Sequence, residues 1–438
     1  MRKISDRIKG SPYVSSLATL VGGTLLGTVF TAIYQVAQTW IYTPESIGVY
    51  TFLTTVPLMF IAVPSLRYDI AIVVEKDERK AMALVKLSAI LALVTSLLVT
   101  LFYAGYIWFF CQEYRQYLYV LPFAFLIVFG YGINNLLNAY NNRCDDYGMI
   151  SRKFVVRSAV QRLGMVAAGV IVVYLAKLES LSVLAMIVPY SLGLFVGIRN
   201  QASTLLARKE ELRSVTAAEM KEAAKLHKNQ PLFSAPALFV NSFSYSSITL
   251  IIEKLYDTTV IAYYSISNRV LGMPISLVSG NVAKVFIADA AKEYAQTGGF
   301  RRAFKKSFGF LLALAIPMFV GIYFLAPPVC GWLLGDGWEV AGEYIKIMGM
   351  MFAFRLVGTA LSQVLTVCNK QIVELYVNFG LLAAAAISGL VAWYLQRDVL
   401  FFLQVLNVLR SACYAVLIVC VYCFSKRKKD MTEENENG

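Results

Sequence analysis

Apolar runs of about 20 residues recur twelve times along this 438-residue chain, at 14–40, 46–66, 82–108, 117–140, 154–175, 181–204, 232–253, 259–283, 307–327, 344–367, 371–395 and 399–424. Each is long enough for a helix to cross the ~30 Å hydrocarbon core of a bilayer. Inside that core every backbone N–H and C=O must be paired within the segment, so runs of this length fold as helices. A mean hydropathy of +0.62 and 58% hydrophobic residues exceed what one soluble core would use. The first run is longer than a signal-peptide core and ends without a small-residue cleavage pattern, so it is expected to stay as a span. The chain is predicted to be an all-α polytopic membrane protein with 12 transmembrane helices in two six-helix bundles.

The formal charge of +13 is best read as topology, because the spans leave no soluble domain on which a basic face could bind nucleic acid. Alternating the connections between two sides puts 28 lysines and arginines on the side of the N-terminus and 4 on the other. By the positive-inside rule both termini are cytoplasmic. The expected organisation is an N-terminal bundle over 1–204, a cytoplasmic connecting segment over 205–231, a C-terminal bundle over 232–425 and a polar, disordered tail over 426–438. The connecting segment has helical composition and mixed charge, as a helix or flexible strap would; a regulatory or partner site is the other reading. The loops on the outer side are short and leave no room for a catalytic domain there.

Little in the sequence points to enzymatic chemistry. The seven cysteines are scattered, and Cys420 and Cys423 have CxxC spacing but lie in an apolar run without histidine or acidic company. His227, the single histidine, sits in the charged connector. No GxxxxGK[ST] phosphate loop is present. No cofactor and no catalytic residue is assigned.

An internal echo organises the halves. Ile41–Val74 and the stretch from Leu255 align without gaps at an offset of 214 residues, pairing Tyr42 with Tyr256, Ile47 with Ile261 and Tyr50 with Tyr264. Both copies fall at the start of a half, as a duplicated six-helix unit would place them. Seven prolines lie well inside spans, Pro57, Pro64, Pro122, Pro189, Pro236, Pro274 and Pro317, and serve either as ordinary irregularities or as hinges.

Charges inside the spans are more informative. Arg269 in the eighth span, Arg355 in the tenth and Arg410 in the twelfth lie about ten residues in, hence ~15 Å deep. Arg162 in the fifth is nearly as deep. A central arginine costs on the order of 2.5–3.5 kcal/mol on insertion scales, so these should face water, an anion or polar neighbours. No carboxylate lies at matching depth: Glu374, Glu253 and Asp69 are all near span ends. A guanidinium fork suits diphosphate or acidic sugars in a low-dielectric cavity. Arg157 and Arg199 are expected to snorkel toward the inner surface. Gln35, Asn134, Asn138, Asn268, Gln363 and Asn407 are candidates to line a polar path, with interhelical hydrogen bonding as the equal alternative. The tyrosines are expected mostly at the interfaces, with Tyr263 and Tyr264 too near the outer surface for sugar stacking. Thr55 stands opposite Arg269 in the aligned halves, so deep positive charge is expected mainly in the second half.

The stretches PLFSAPALFVN (231–241), AYYSISNRVLGMPISLVSGNVAKVF (262–286), YTPESIGVYTF (42–52) and SLRYDIAIV (65–73) resemble the polysaccharide-transport family of oligosaccharide flippases, the Wzx-like branch of the MATE and MurJ superfamily. That resemblance implies a MATE-like pair of bundles with a cavity opening alternately to each side. It also implies a lipid diphosphate-linked oligosaccharide as cargo, turned across the bacterial cytoplasmic membrane for O-antigen, capsule or exopolysaccharide synthesis. Arg269 in NRVLGMP and Arg67 in SLRYD match basic positions common in the family. Membrane lipids, a polysaccharide polymerase, a chain-length regulator and a coupling ion, H+ or Na+, are the implied partners. Two other readings are a MATE-type drug or cation exporter, which generally wants a mid-membrane carboxylate, and a membrane polysaccharide polymerase, which needs catalytic loops.

Overall fold

The computed structural model of the chain describes residues 12–368, 370 and 372–426. The basic residues Arg2 to Lys9 and the 427–438 part of the tail lie outside them. The described residues are helical, without a strand, and the chain divides into two compact units, 1–242 and 243–438. The helices are α1 (Pro12–Ile41), α2 (Pro44–Met59), α3 (Tyr68–Val74), α4 (Glu78–Phe110), α5 (Leu121–Arg143), α6 (Tyr147–Gly169) and α7 (Ser182–Gly193), then α8 (Ala217–Leu226) and α9 (Ala235–Leu255). They continue with α10 (Thr258–Thr297), α11 (Arg301–Leu334), α12 (Glu339–Ser362), α13 (Ile372–Tyr394) and α14 (Val399–Phe424). Each predicted span overlaps one of these helices, although 181–204 runs past the end of α7 at Gly193 through a turn at Gly197, and ten helical segments among the described residues are long and apolar enough to cross a membrane.

The span predicted over 46–66 is not one continuous helix: α2 ends at Met59. Pro57 has no N–H to donate to Leu53, and the carbonyl left free there accepts the Tyr103 hydroxyl at 2.9 Å. The chain then turns through 60–67, where Leu66 and Arg67 adopt φ of 49° and 66°. Asn135 Nδ2 pins this turn by donating to the Ile61 carbonyl at 2.9 Å.

The aligned residues of the two halves have equivalent surroundings. Ile47 and Ile261 are fully buried. The Tyr42 hydroxyl donates to the Met165 carbonyl on α6 at 2.7 Å, while that of Tyr256 donates to the Arg397 carbonyl just beyond α13 at 3.2 Å. Each tyrosine thus ties the first turn of its half to the fifth long helix. In the second unit, Gly342 lets α12 approach α11 so closely that a Cβ there would collide with the backbone of Pro327. Ser267 on α10 donates to the Ala341 carbonyl of α12 at 2.8 Å.

The connecting segment is docked, not slack. Thr216 and Glu219 form a capping box at the start of α8. Val215 and Ala223 are buried in a core with Ile72, Leu84, Val85, Leu137 and Tyr140. Arg79 donates to Glu219 at 2.6 and 3.1 Å, Lys80 pairs with Glu222 at 3.0 Å and His227 meets Glu75 at 2.8 Å. Glu78 receives both Arg143 and Arg208. The Arg79 hydrogen bonds, followed by those from Thr216, hold the Glu219 carboxyl down at about 2. The Asp77 backbone N–H, then the His227 ring, also holds Glu75 below the usual carboxylate range.

Candidate binding site

In the second unit two of the predicted deep arginines converge on one aromatic ring. Arg355 of α12 lies 4.6 Å from the ring centroid of Tyr245 on α9, and Arg410 of α14 lies 5.1 Å from the same centroid. The Tyr245 hydroxyl pairs with that of Tyr414 at 2.6 Å. Aromatic faces carry negative potential and partly offset buried cations. Tyr264, buried on α10, feels the charges of both arginines.

The two arginines differ in how they are held. Arg410 is 1% exposed, and its Nη2 donates to the Ser244 carbonyl of α9 and to that of Leu381 on α13, the latter at 3.2 Å. Arg355 is half-buried, stacks also on Phe352 at 5.4 Å, and its guanidinium has no hydrogen-bond acceptor or carboxylate among the described residues. Arg410 is therefore a fixed anchor, while the Arg355 fork is held by ring contacts alone among the described residues. Asn407, one turn before Arg410, accepts the Met351 N–H at 2.8 Å and braces α14 against α12.

The other second-half candidates stand apart. Asn268 and Arg269 on α10 are half-buried, with no hydrogen bond or ion pair among the described residues. Gln363 is exposed in a 3-10 turn after α12. A cleft of about 740 Å³, between Leu255–Tyr256 and Ala392–Asp398, contains none of the predicted site residues.

The first unit has its own arginine and tyrosine arrangement. Arg162 on α6 lies 5.2 Å from the Tyr34 ring centroid and 5.6 Å from that of Tyr190. The Tyr190 hydroxyl pairs with that of Tyr131 at 2.9 Å, and Arg157 lies 5.8 Å from the Tyr131 ring. Arg157 packs also against the Phe154 ring, at 5.2 Å. The predicted amides serve as braces: Gln35 accepts from Gln38, Asn134 donates to the Leu194 carbonyl at 3.0 Å, and Asn138 accepts from Gln201 at 2.7 Å. Arg67 belongs to neither cluster and pairs with Asp69 at 3.8 Å. Sequence reasoning missed Tyr245, Tyr414, Tyr131 and Tyr190 by assigning tyrosines to the interfaces; their place in mid-run was the available signal.

A model of a family described as polysaccharide biosynthesis protein matches residues 40–343. The chain belongs to that family. No curated protein sequence matches it. Among solved structures, the lipid II flippase MurJ in an inward closed conformation superposes with a TM-score of 0.68 at 10% identity, covering 90% of this chain and 87% of that one. An inward-facing multidrug resistance MATE family transporter of the MOP superfamily gives a TM-score of 0.67 at 13% identity, covering 91% and 93%. A MOP superfamily transporter from Pyrococcus furiosus, described as having a binding pocket of reverse polarity, gives 0.57 at 13% identity, covering 95% and 96%. These likenesses establish the fold of this polysaccharide biosynthesis family member as MATE-like.

Proposed function

We propose that this membrane protein is a flippase that turns undecaprenyl diphosphate-linked oligosaccharide repeat units across the bacterial cytoplasmic membrane, with both termini in the cytoplasm. The observation that carries this reading is the pair Arg355 and Arg410 on Tyr245, a cationic site with no carboxylate partner among the described residues, in a member of a polysaccharide biosynthesis family. Arg355 meets the diphosphate, and Arg410 supplies long-range positive potential. Arg162 plays the corresponding part in the first unit, while Arg269 and Asn268 extend the polar surface of α10. A cation exporter on this fold would want a carboxylate where these arginines stand. Twelve spans in two six-helix bundles, rocking in alternating access, make up the working unit, and the surface polymer is an O-antigen, capsule or exopolysaccharide.

The test is export in a strain that depends on this gene. With Arg355→Ala, surface polysaccharide should fall and lipid-linked repeat units should accumulate on the cytoplasmic side. Unchanged polymer at normal protein level would reject the reading.

A further inference from the structure

A further cationic feature of the first unit shares Arg157 with the ring contact at Tyr131 and has no part in the arginine and tyrosine cluster of the second unit. Lys153, nearly two turns into α6, is 5% exposed, and its Nζ donates to Asn134 Oδ1 and to the Leu194 carbonyl, the latter at 3.2 Å. Both acceptors are neutral, so a charged amine here is desolvated without a counter-charge, a cost relieved by taking up an anion or by giving up the proton. One turn further along α6, Arg157 lies 5.2 Å from the Phe154 ring, and its buried Nε has no acceptor. The charges of Lys153 and Arg157 act on one another. The four helices that pack here, α1, α5, α6 and α7, contain no aspartate or glutamate at all. The nearest acidic residues in sequence, Asp145 and Asp146, are committed in the turn before α6: Asp145 accepts from the Tyr147 hydroxyl and Asp146 from the Met149 N–H.

Lys153, Arg157, Phe154, Asn134 and Asn138 line a cavity of about 100 Å³. One water needs ~10–15 Å³ by such a measure, so there is room for a small polyatomic ion but not for a sugar diphosphate. Asn138 uses its Oδ1 to accept from Gln201 at 2.7 Å, which leaves its amide N–H groups as donors. A compact anion would find there an ammonium, a guanidinium edge and an amide, the donor set that suits tetrahedral oxyanions.

We propose that this cavity binds a single phosphate-class oxyanion, independently of the lipid diphosphate reading above. The source is either free phosphate or the phosphate of an anionic lipid headgroup; the chemistry of recognition is the same.

The test uses the full-length protein in phosphatidylcholine nanodiscs and radiolabelled inorganic phosphate. Saturable binding near one per chain is expected, weakened about tenfold or more by Lys153→Gln and by Arg157→Gln, as loss of one charge-assisted bond would give. Arg152→Gln, at the exposed neighbour of Lys153, should bind as the parent does. Arg157→Gln removes no hydrogen bond present in the fold, so it separates loss of the site from loss of the protein, with thermal unfolding as the check. Phosphatidylglycerol nanodiscs that suppress phosphate binding, an effect abolished by Arg157→Gln, would identify the lipid headgroup as the source; no suppression would identify the free ion. Absence of saturable binding, binding untouched by both substitutions, or equal displacement by chloride at matched ionic strength would overturn the proposal. Export activity of Arg355→Ala bears only on the flippase reading and leaves this outcome unaffected.

Discussion

The guanidinium of Arg355 rests 4.6 Å from the ring centroid of Tyr245, and this ring contact is its polar anchorage: the fork itself has no acceptor among the described residues. Arg355→Ala should therefore leave folding nearly intact while abolishing export. Arg410→Ala should behave in the opposite way, lowering stability by about 2–4 kcal/mol through the vacated volume and two lost charge-assisted bonds. Arg410→Met fills the volume and removes the buried charge, so it should be close to the parent in stability. Thermal unfolding in detergent, beside the export assay, checks all three.

Tyr245 works through both its face and its hydroxyl. Tyr245→Phe keeps the ring under both arginines and loses the 2.6 Å bond to Tyr414, so export should fall modestly. Tyr245→Leu removes the cation–π contacts as well, each worth ~0.5–2 kcal/mol, and should lower export further. Equal activity of the two variants would show that only the hydroxyl matters.

The docked connector makes a prediction about local opening. Arg79 gathers Glu219, the Ser214 hydroxyl and the carbonyls of Glu211 and Ser214, so it ties the middle of the segment to α4. Arg79→Ala should raise amide hydrogen exchange across 209–227 while α4 itself stays protected. Exchange unchanged in that stretch would mean that the apolar core around Ala223 suffices alone.

Acid should loosen the same contact. Glu219 has its carboxyl held down at about 2, so the stability it contributes is fully present above the ordinary carboxylate range and is lost as pH falls toward 2. Glu75 is shifted in the same direction and adds to the effect. Exchange at 209–227, corrected for intrinsic rate, should be flat from pH 7 to about 5 and climb below about 4. In Glu219→Gln the exchange should be raised already at neutral pH, with a shallower acid response.

The helices were legible because lipid leaves an apolar run of that length only one way to pair its backbone. The early end of α2 was harder to see, since both its prolines were visible but the rescue of the Leu53 carbonyl comes from Tyr103, fifty residues away. Depth marked Arg355 and Arg410 as candidates beside Arg269 and Arg162, but not that these two would share the Tyr245 ring. Nor was it legible what Arg410 binds, because its acceptors are backbone carbonyls, which every residue carries and no sequence pattern marks. The burial of Lys153 is equally hidden from sequence: its partners, Asn134 and the Leu194 carbonyl, are brought to it only by the packing of α5 and α7.

Arg410 also bears on how the chain enters the membrane. A helix with an arginine at its centre is released into lipid alone at a cost of ~2.5–3.5 kcal/mol. Its acceptors, on α9 and α13, leave the ribosome before α14 does. The closing helix is thus favoured to leave the translocon sideways onto finished neighbours, and the buried cation makes the last insertion step contingent on correct assembly of those before it.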